Sequence, residues 1–226
     1  ENPNTNISVI DLGFPGILPI VNKEAIRKAL TVATALNCET PEYMIFDRKN
    51  YYYPDLPKGY QITQMHYPVG INGYLDIYVE DEVKRIYIHD THLEEDTASL
   101  GHYDGYSLID YNRCGVPLLE TVTEPCMHSI DEAMAFLESL KRLFLYTGVS
   151  DAKTELGQIR CDVNVSLAPK GSKELGVKVE MKNINSFYNV KMALESEIKR
   201  QTELLNNGKI IVKHIEVNGV ENLLKL

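Results

Sequence analysis

An acidic segment in the first half of the chain contains residues that could bind a divalent cation. It has the sequence HLEED over residues 92–96 and follows a predicted strand. Because side chains on an extended backbone alternate between faces, three consecutive carboxylates cannot all point in one direction. Glu95 and one neighbour could still converge on a hard cation, which prefers oxygen ligands. A solvated acidic turn is the alternative interpretation, since runs of charge usually lie on the surface.

A second candidate ligand is Glu120, which stands in apolar, strand-like sequence between Leu119 and Val122. A carboxylate in such a position either lies at a strand edge or is held by a partner or a metal ion. Arg113 precedes this segment and could neutralise a phosphate group, or it could pair with Asp110. The segment therefore combines a possible metal ligand with a possible phosphate ligand.

Two further segments are predicted to be strands, each with one polar face. Apolar and polar residues alternate over 158–167 and again over 177–182, and the polar positions are Arg160, Asp162, Asn164, Lys178, Glu180 and Lys182. If the strands pair, opposite charges face each other across the sheet. One interpretation is a set of cross-strand ion pairs on a wet face. The other is a cradle for phosphate and metal, because basic groups bind phosphate and carboxylates bind Mg²⁺.

A basic and tyrosine-rich segment, DRKNYYYPD, occupies residues 47–55 and includes Lys49. Basic residues beside a tyrosine run can bind the end of a nucleic acid by charge and stacking. Tyrosines in the core or at the rim of a sheet are the alternative interpretation.

Helices and strands must position these residues. Apolar periodicity and capping patterns predict helices over residues 23–36, 129–146 and 186–205. Alternation predicts a hairpin over 74–88, strands over 106–111 and 117–122, and an antiparallel pair with Cys161, Val163 and Val179 buried. Hairpin-like strands without regular βαβ alternation favour an α+β fold with a large, mainly antiparallel sheet and flanking helices. The Rossmann and P-loop signatures do not occur.

Composition narrows the class of protein. The 226 residues are 44% apolar and 24% charged, which is typical of a globular chain with a sizeable core and excludes disorder as the main state. A formal net charge of −9 argues against a non-specific nucleic-acid binder. No apolar run is long enough to span a membrane. The four cysteines form no C-x-x-C pair, so we expect reduced thiols, no zinc site and a cytoplasmic setting.

Taken together, the segments closely resemble the B-subunit family of the bacterial glutamyl-tRNA(Gln)/aspartyl-tRNA(Asn) amidotransferases. The resemblance covers roughly residues 1–208, in order, and its motifs are highly specific. They are PNTN at 3–6, DRKNYYYPD at 47–55, KGYQITQ at 58–64, HLEED at 92–96, DYNR at 110–113, GVPLLE at 115–120, GQIRCDVNVS at 157–166 and EMKNINSF at 180–187.

The resemblance implies a catalytic cradle domain over residues 1–208, related in fold to glutamine synthetase and the guanido kinases. It implies an ATP- and Mg²⁺-dependent ligase that forms a C–N bond with glutamine as the nitrogen donor. The side-chain carboxylate of misacylated tRNA would become an acyl phosphate. An amidase A subunit would deliver ammonia through a channel, and a small C subunit would complete a heterotrimer.

Site residues also follow from the resemblance. Glu95 and Glu120 match acidic metal ligands, and Lys49 matches a basic residue of the active site that contacts the nucleotide. Arg160 and Lys182 lie in matching motifs on the cradle sheet, where we expect catalytic roles. Arg113 is the expected further ligand of the nucleotide phosphates.

The sequence departs from the family pattern at three places. The family's first strand, with its Glu-x-His metal motif, would precede Glu1, so a fragment truncated at both ends is expected. Ser8 and Asp11 stand where some members have a zinc-binding cysteine pair. Residues 209–226 match poorly, and the helical and tail domains that hold tRNA do not follow. A small-molecule carboxylate kinase and a non-catalytic scaffold for an amidase remain as alternatives.

Overall fold

The structure, a computed structural model, describes residues 2–213 and 215–217. The chain divides into two compact units. The first comprises Glu1–Asp76 and Lys84–Cys126, and the second comprises Ile77–Val83 and the chain from Met127 onward. No helix in the described part of the chain has both the length and the apolar character needed to cross a bilayer.

The first unit begins with helix α1, Lys23–Ala35, which confirms the predicted helix. Asn22 caps it, because its side-chain oxygen accepts a hydrogen bond from the backbone N–H of Glu24 at 2.8 Å. The apolar stripe of the helix places Ala29 and Ala33 in a core cluster with Val69 and Leu93. The helix therefore packs against the chain segments that carry the acidic residues of the candidate site.

The strands between residues 47 and 123 form three small sheets. A ribbon pairs β1 with β2, a central sheet has the order β3-β4-β7, and a second ribbon pairs β5 with β6. The strands are β1 (Asp47–Asn50), β2 (Tyr60–Thr63), β3 (Gly70–Val79), β4 (Glu82–Glu95), β5 (Ser99–Tyr103), β6 (Tyr106–Asp110) and β7 (Pro117–Thr123). The predicted hairpin is confirmed. Its turn residues Glu80 and Asp81 have φ angles of 48° and 66°, as a type I′ turn requires.

A glycine lets the chain pack closely at the start of β3. A Cβ atom added to Gly70 would lie 2.7 Å from Cys38 Cβ and 2.9 Å from Ala33 Cβ. Real side chains do not approach each other this closely, so only glycine allows the strand to contact α1 and the residues that follow it.

The second unit packs two helices on a three-stranded sheet. Its elements are α2 (Ile130–Thr147), β8 (Cys161–Val165), β9 (Val179–Ile184), α3 (Phe187–Asn206) and β10 (Ile215–Val217). The α2 and α3 predictions are confirmed. Ser129 caps α2 by accepting a hydrogen bond from the N–H of Glu132 at 3.1 Å. Leu137 from α2, Met181 from β9 and Leu194 from α3 share one core.

The antiparallel pairing of β8 with β9 is also confirmed. Val179 is buried, and the half-buried Cys161 and Val163 pack against the core of the second unit. Strand β8 is shorter than the alternation over residues 158–167 predicts, because residues at both ends of that segment form hydrogen bonds outside the sheet. The N–H of Gln158 donates to the carbonyl of Lys153, and Leu167 donates its N–H to the Gln201 side chain.

The α+β class is confirmed, but a single large sheet is not seen. The described strands form four separate sheets, of two or three strands each. The pairing is mainly antiparallel, except that β10 runs parallel to β9. The cradle and the domain limit at residue 208 stay predictions.

Candidate metal centre

Two adjacent strands bring three possible metal ligands together in the first unit. In the register of β4 and β7, His92 lies opposite Glu120. Glu94 follows His92 by two residues and therefore shares its face of the sheet. His92 Nε2 lies 3.5 Å from Glu120 Oε2 and 3.9 Å from Glu94 Oε1. One donor atom from each residue fits within 4.8 Å of the others. We call these three residues the acidic centre.

The acidic centre is buried on one side and open on the other. The side chains of Glu94 and His92 are 7% and 14% exposed, whereas that of Glu120 is 52% exposed. A ligand can therefore reach the centre from the side of Glu120. Asp90 lies behind His92, with its Oδ1 atom 2.6 Å from the ring Nδ1. In the neutral ring this contact holds the hydrogen on Nδ1 and leaves the lone pair of Nε2 for a cation.

The three residues of the acidic centre change one another's pKa. Burial and hydrogen bonding to Glu120 raise the pKa of Glu94, against the positive charges of Lys49 and His92. Hydrogen bonding from His92 lowers the pKa of Glu120 to about 2, against the effect of burial. Burial lowers the pKa of His92, but hydrogen bonds to Asp90 and Glu120 outweigh it and raise that pKa to about 9. Protons thus supply the positive charge that a bound cation would replace.

The donor set fits a divalent cation. Two carboxylates from neighbouring strands match the usual protein contribution to a Mg²⁺ site, where water and substrate phosphates complete the octahedron. The open side at Glu120 leaves room for those further ligands. Glu94, Glu120 and His92 are the residues of this centre that could hold the ion, with Asp90 as an orienting contact.

Lys49 brings a positive charge to the acidic centre. Lys49 lies on β1, where it is exposed. Its charge lowers the pKa of Glu94, although burial raises that pKa more strongly. It also adds to the lowering of the pKa of Glu120 by His92. A flexible ammonium group beside two carboxylates and a possible cation is suited to binding a phosphate oxygen. Of the residues predicted from the sequence, Glu120 belongs to the acidic centre, and the charge of Lys49 acts on its two carboxylates.

Glu95 and Arg113 have other partners in the structure. Glu95 Oε2 lies 2.5 Å from Lys58 Nζ, and Glu95 is outside the acidic centre. Arg113 Nε lies 3.3 Å from Asp96 Oδ2, and the guanidinium donates to the carbonyls of Thr97 and Ala98 at 3.0 and 3.2 Å. Asp110, the other partner considered for Arg113, accepts hydrogen bonds from the backbone of Asn4 and Asn112, and these bonds, with a smaller contribution from the charge of Arg113, lower its pKa.

Arg160 and Lys182 belong to the second unit. Arg160 is exposed and precedes β8, and Lys182 lies on β9, where its Nζ atom is 3.4 Å from Glu180 Oε1. Both residues of this ion pair lie on β9, so it does not test the cross-strand ion pairs that one of the two sequence interpretations expected. Their catalytic roles stay predictions.

His92 and Glu94 were not predicted individually as ligands from the sequence. The signal that could have found them is the alternation of side chains along a strand. Residues i and i+2 of a strand share a face, so Glu94 lies on the same face as His92 and Glu95 lies on the opposite face. The contribution of Glu120 to that face depends on the register between β4 and β7, and sequence alone does not give that register.

Comparison with known proteins agrees with the motifs. A family model described as "GatB/GatE catalytic domain" matches residues 1–221. A relative from Macrococcus caseolyticus, named as the B subunit of an aspartyl/glutamyl-tRNA(Asn/Gln) amidotransferase, is 55% identical over 210 residues. Proteins of the same name from Persephonella marina and Geobacillus kaustophilus are 52% and 53% identical. These alignments cover 92% or 93% of the chain but only 44% of each relative. The chain belongs to the GatB/GatE catalytic domain family.

Proposed function

We propose that the chain is the ATP-dependent activating part of a tRNA-dependent amidotransferase. It phosphorylates the side-chain carboxylate of Glu-tRNA(Gln) or Asp-tRNA(Asn), and ammonia then converts the acyl phosphate into the amide. The observation that carries the proposal is the acidic centre, in a chain that is 55% identical to the B subunit of such an amidotransferase.

The chemistry explains why such a centre is needed. A carboxylate is a poor acyl donor, because an oxide ion would have to leave. Attack of a carboxylate oxygen on the γ-phosphorus of ATP breaks the bond to ADP and creates a phosphate leaving group. Ammonia then attacks the carbonyl carbon, inorganic phosphate leaves and the nitrogen loses a proton. Both steps develop negative charge on phosphate oxygens, which positive groups must neutralise.

Each residue of the centre has a role in this proposal. Glu94, Glu120 and His92 would hold Mg²⁺, and Asp90 would orient the ring of His92. The cation would supply positive charge to the phosphate oxygens of ATP. The ammonium group of Lys49 binds the phosphoryl group from the exposed ribbon. We further assign Arg160 and Lys182 to the catalytic site and Arg113 to the nucleotide, as the family resemblance implies.

The proposed assembly follows from the same resemblance. The relatives are each named as the B subunit of an enzyme, which supports a complex with other subunits. We propose an amidase A subunit as the source of ammonia and a small C subunit as the third member. The cradle over residues 1–208 would receive the acceptor end of the tRNA. The four free cysteines of the structure support a cytoplasmic setting.

The test uses the assembled, full-length complex without glutamine. We expect Glu-tRNA(Gln) or Asp-tRNA(Asn) to stimulate ATP hydrolysis, whereas the same tRNA without an amino acid does not. Hydroxylamine should trap the activated carboxylate as a hydroxamate, with release of phosphate. Equal stimulation by free glutamate or aspartate would favour the small-molecule kinase. No ATP hydrolysis with any of these substrates would favour the scaffold.

A further inference from the structure

Three consecutive exposed tyrosines lie in the loop that joins β1 to β2. Tyr52 is 86% exposed, and Tyr51 and Tyr53 are 42% and 44% exposed. The sequence left open whether these rings pack in the core or at the rim of a sheet, or bind a ligand. Their exposure excludes the core. Large apolar groups that lie together on the surface often mark a binding site. We call Tyr51, Tyr52 and Tyr53 the tyrosine platform.

Contacts within the loop hold the tyrosine platform in place. The N–H of Tyr51 donates to the carbonyl of Gly59 at 3.1 Å, and the N–H of Leu56 donates to the carbonyl of Tyr53 at 3.0 Å. Gly59 has a φ angle of 75°, and a Cβ atom added to it would lie 3.1 Å from the Tyr52 ring. The ring of Tyr52 therefore lies against bare backbone. A loop that is ordered before binding loses less conformational entropy when a ligand arrives.

The platform combines aromatic rings with neighbouring basic groups. The ring centroids of Tyr51 and Tyr53 are 6.0 Å apart and the rings are tilted by 34°, so the two rings do not stack face to face. Arg48 precedes them on β1, where it is exposed, and its guanidinium carbon lies 4.6 Å from the ring centroid of Tyr60. Exposed aromatic rings beside basic side chains are the combination that binds single-stranded nucleic acid, because the rings stack on bases and the cations attract phosphates.

The loop is joined to the chain segment that follows the acidic centre. The carbonyl of Asp55 accepts from the N–H of Ala98 at 2.9 Å, and the Tyr111 hydroxyl donates to the carbonyl of Pro54 at 3.1 Å. Ala98 follows Glu94 by four residues, so their Cα atoms are at most about 14 Å apart. The platform and the acidic centre thus lie on directly connected segments of the first unit.

We propose that the tyrosine platform binds the single-stranded 3′ end of the charged tRNA, with the Tyr52 ring stacked on an unpaired base and Arg48 beside the phosphates. The inference rests on the proposed function. The amino acid is esterified to the terminal nucleotide, so a platform for the end of the strand has to lie close to the acidic centre. The adenine of ATP has the same stacking chemistry, but ATP brings one base, whereas the platform offers three rings to successive bases.

The experiment compares Tyr52→Ala with Tyr52→Phe in the assembled, full-length complex. Tyr52→Phe keeps the ring and removes only the hydroxyl. Tyr146→Ala is the matched control, because Tyr146 is 91% exposed but lies on α2 in the second unit. We would measure kcat/KM for charged tRNA in ATP hydrolysis and, separately, KM for ATP. A second assay without ATP uses uncharged tRNA that carries 2-aminopurine in place of its terminal adenine, since stacking on an aromatic ring quenches the fluorescence of this base.

We expect Tyr52→Ala to lower kcat/KM for charged tRNA by about 10- to 100-fold, the range that the loss of one base–aromatic stack produces. KM for ATP should stay within about twofold of the unmodified complex. The unmodified complex and Tyr52→Phe should quench the 2-aminopurine fluorescence to the same extent, and Tyr52→Ala should quench it less. Tyr146→Ala should change none of these quantities.

Four results would overturn the inference. A higher KM for ATP in Tyr52→Ala, with kcat/KM for charged tRNA unchanged at saturating ATP, would assign the platform to the adenine of ATP. An equal loss in Tyr52→Phe would show that the hydroxyl acts and not the stacked ring. Loss of the partner subunits from Tyr52→Ala would make the platform a protein interface. Unchanged tRNA kinetics and fluorescence in Tyr52→Ala would show that the platform binds no nucleotide.

The fluorescence assay also separates this inference from the proposed function. It contains no ATP and no amino acid, so it reports on the platform even where charged tRNA does not stimulate ATP hydrolysis. Quenching that depends on the Tyr52 ring in a complex without this stimulation would support the platform and contradict the proposed function. Stimulation without any such quenching would do the reverse.

Discussion

Replacing Glu120 by glutamine separates metal-dependent chemistry from folding and assembly. The substitution preserves size and hydrogen-bonding capacity and removes one negative charge from the open side of the acidic centre. His92 Nε2, 3.5 Å from Glu120 Oε2, would lose its charged partner. A cation would keep Glu94 as its one carboxylate ligand from the centre.

The expected size of the effect follows from the distance and the exposure. Opposite unit charges about 4 Å apart attract by about 4 kcal/mol at the dielectric constant typical near a protein surface. The Glu120 side chain is 52% exposed, so water screens part of this attraction. We therefore expect a loss of about 3 kcal/mol in the transition state, or about 10²-fold in rate.

The assay measures charged-tRNA-dependent ATP hydrolysis and basal glutamine hydrolysis in the assembled, full-length complex. We expect the first to collapse in Glu120→Gln and the second to persist, with the partner subunits still co-purifying. Glu124→Gln is the matched control. The Glu124 side chain is similarly exposed at 47% and contacts His89, but it is outside the acidic centre. Wild-type ATP hydrolysis in Glu120→Gln, or an equal loss in Glu124→Gln, would refute the reasoning.

Three further predictions concern metal content, thiol reactivity and packing. Purified protein should contain no stoichiometric zinc by atomic absorption after dialysis, because Ser8 and Asp11 replace the cysteine pair of other members; one zinc per chain would contradict this. Burial raises the pKa of both Cys38 and Cys114 to about 11, so about one thiol in 10³ is ionised at pH 8. Their alkylation by iodoacetamide in the folded protein should therefore accelerate about tenfold per pH unit between pH 8 and 10, and a rate independent of pH would be the opposing result. Gly70→Ala should lower the free energy of unfolding by about 1–3 kcal/mol in denaturant titrations, because the added methyl group overlaps Ala33 and Cys38, and an unchanged midpoint would show that the helix can move away.

Local patterns were sufficient to predict the helices and the hairpin. Asn22 and Ser129 cap their helices with side-chain oxygens, and the Glu80–Asp81 turn closes the hairpin. Each signal lies within a few residues of the structure that it specifies, so no long-range information is needed. The pairing of β8 with β9 was also accessible, because both strands alternate clearly.

The arrangement of strands into sheets could not be predicted from local patterns. Alternation shows that a segment is a strand, but it does not show which other strands share its sheet. The described strands separate into four sheets, and the parallel strand β10 falls in a segment without a recognisable pattern. The ends of strands also depend on residues distant in sequence. The N–H of Leu167, for example, donates to the side chain of Gln201 on α3, so Leu167 is not part of β8.

The acidic centre could be predicted only in part from the sequence. The motif over residues 92–96 and the position of Glu120 were visible in the sequence as candidate metal ligands. The register between β4 and β7, which places Glu94 on the face of Glu120, and the buried contact of Glu95 with Lys58 were not visible in the sequence. That partner is 37 residues away in sequence, so its pairing with Glu95 is a tertiary contact.

The most direct test of the central claim is to locate the cation. Crystals of the assembled, full-length complex would be grown with Mn²⁺ and a non-hydrolysable ATP analogue, and anomalous scattering would identify the metal. We expect a peak within about 2.0–2.6 Å of carboxylate oxygens of Glu94 and Glu120, with Lys58 still paired to Glu95. A peak coordinated by Glu95, or one bound to protein atoms away from Glu94 and Glu120, would contradict it.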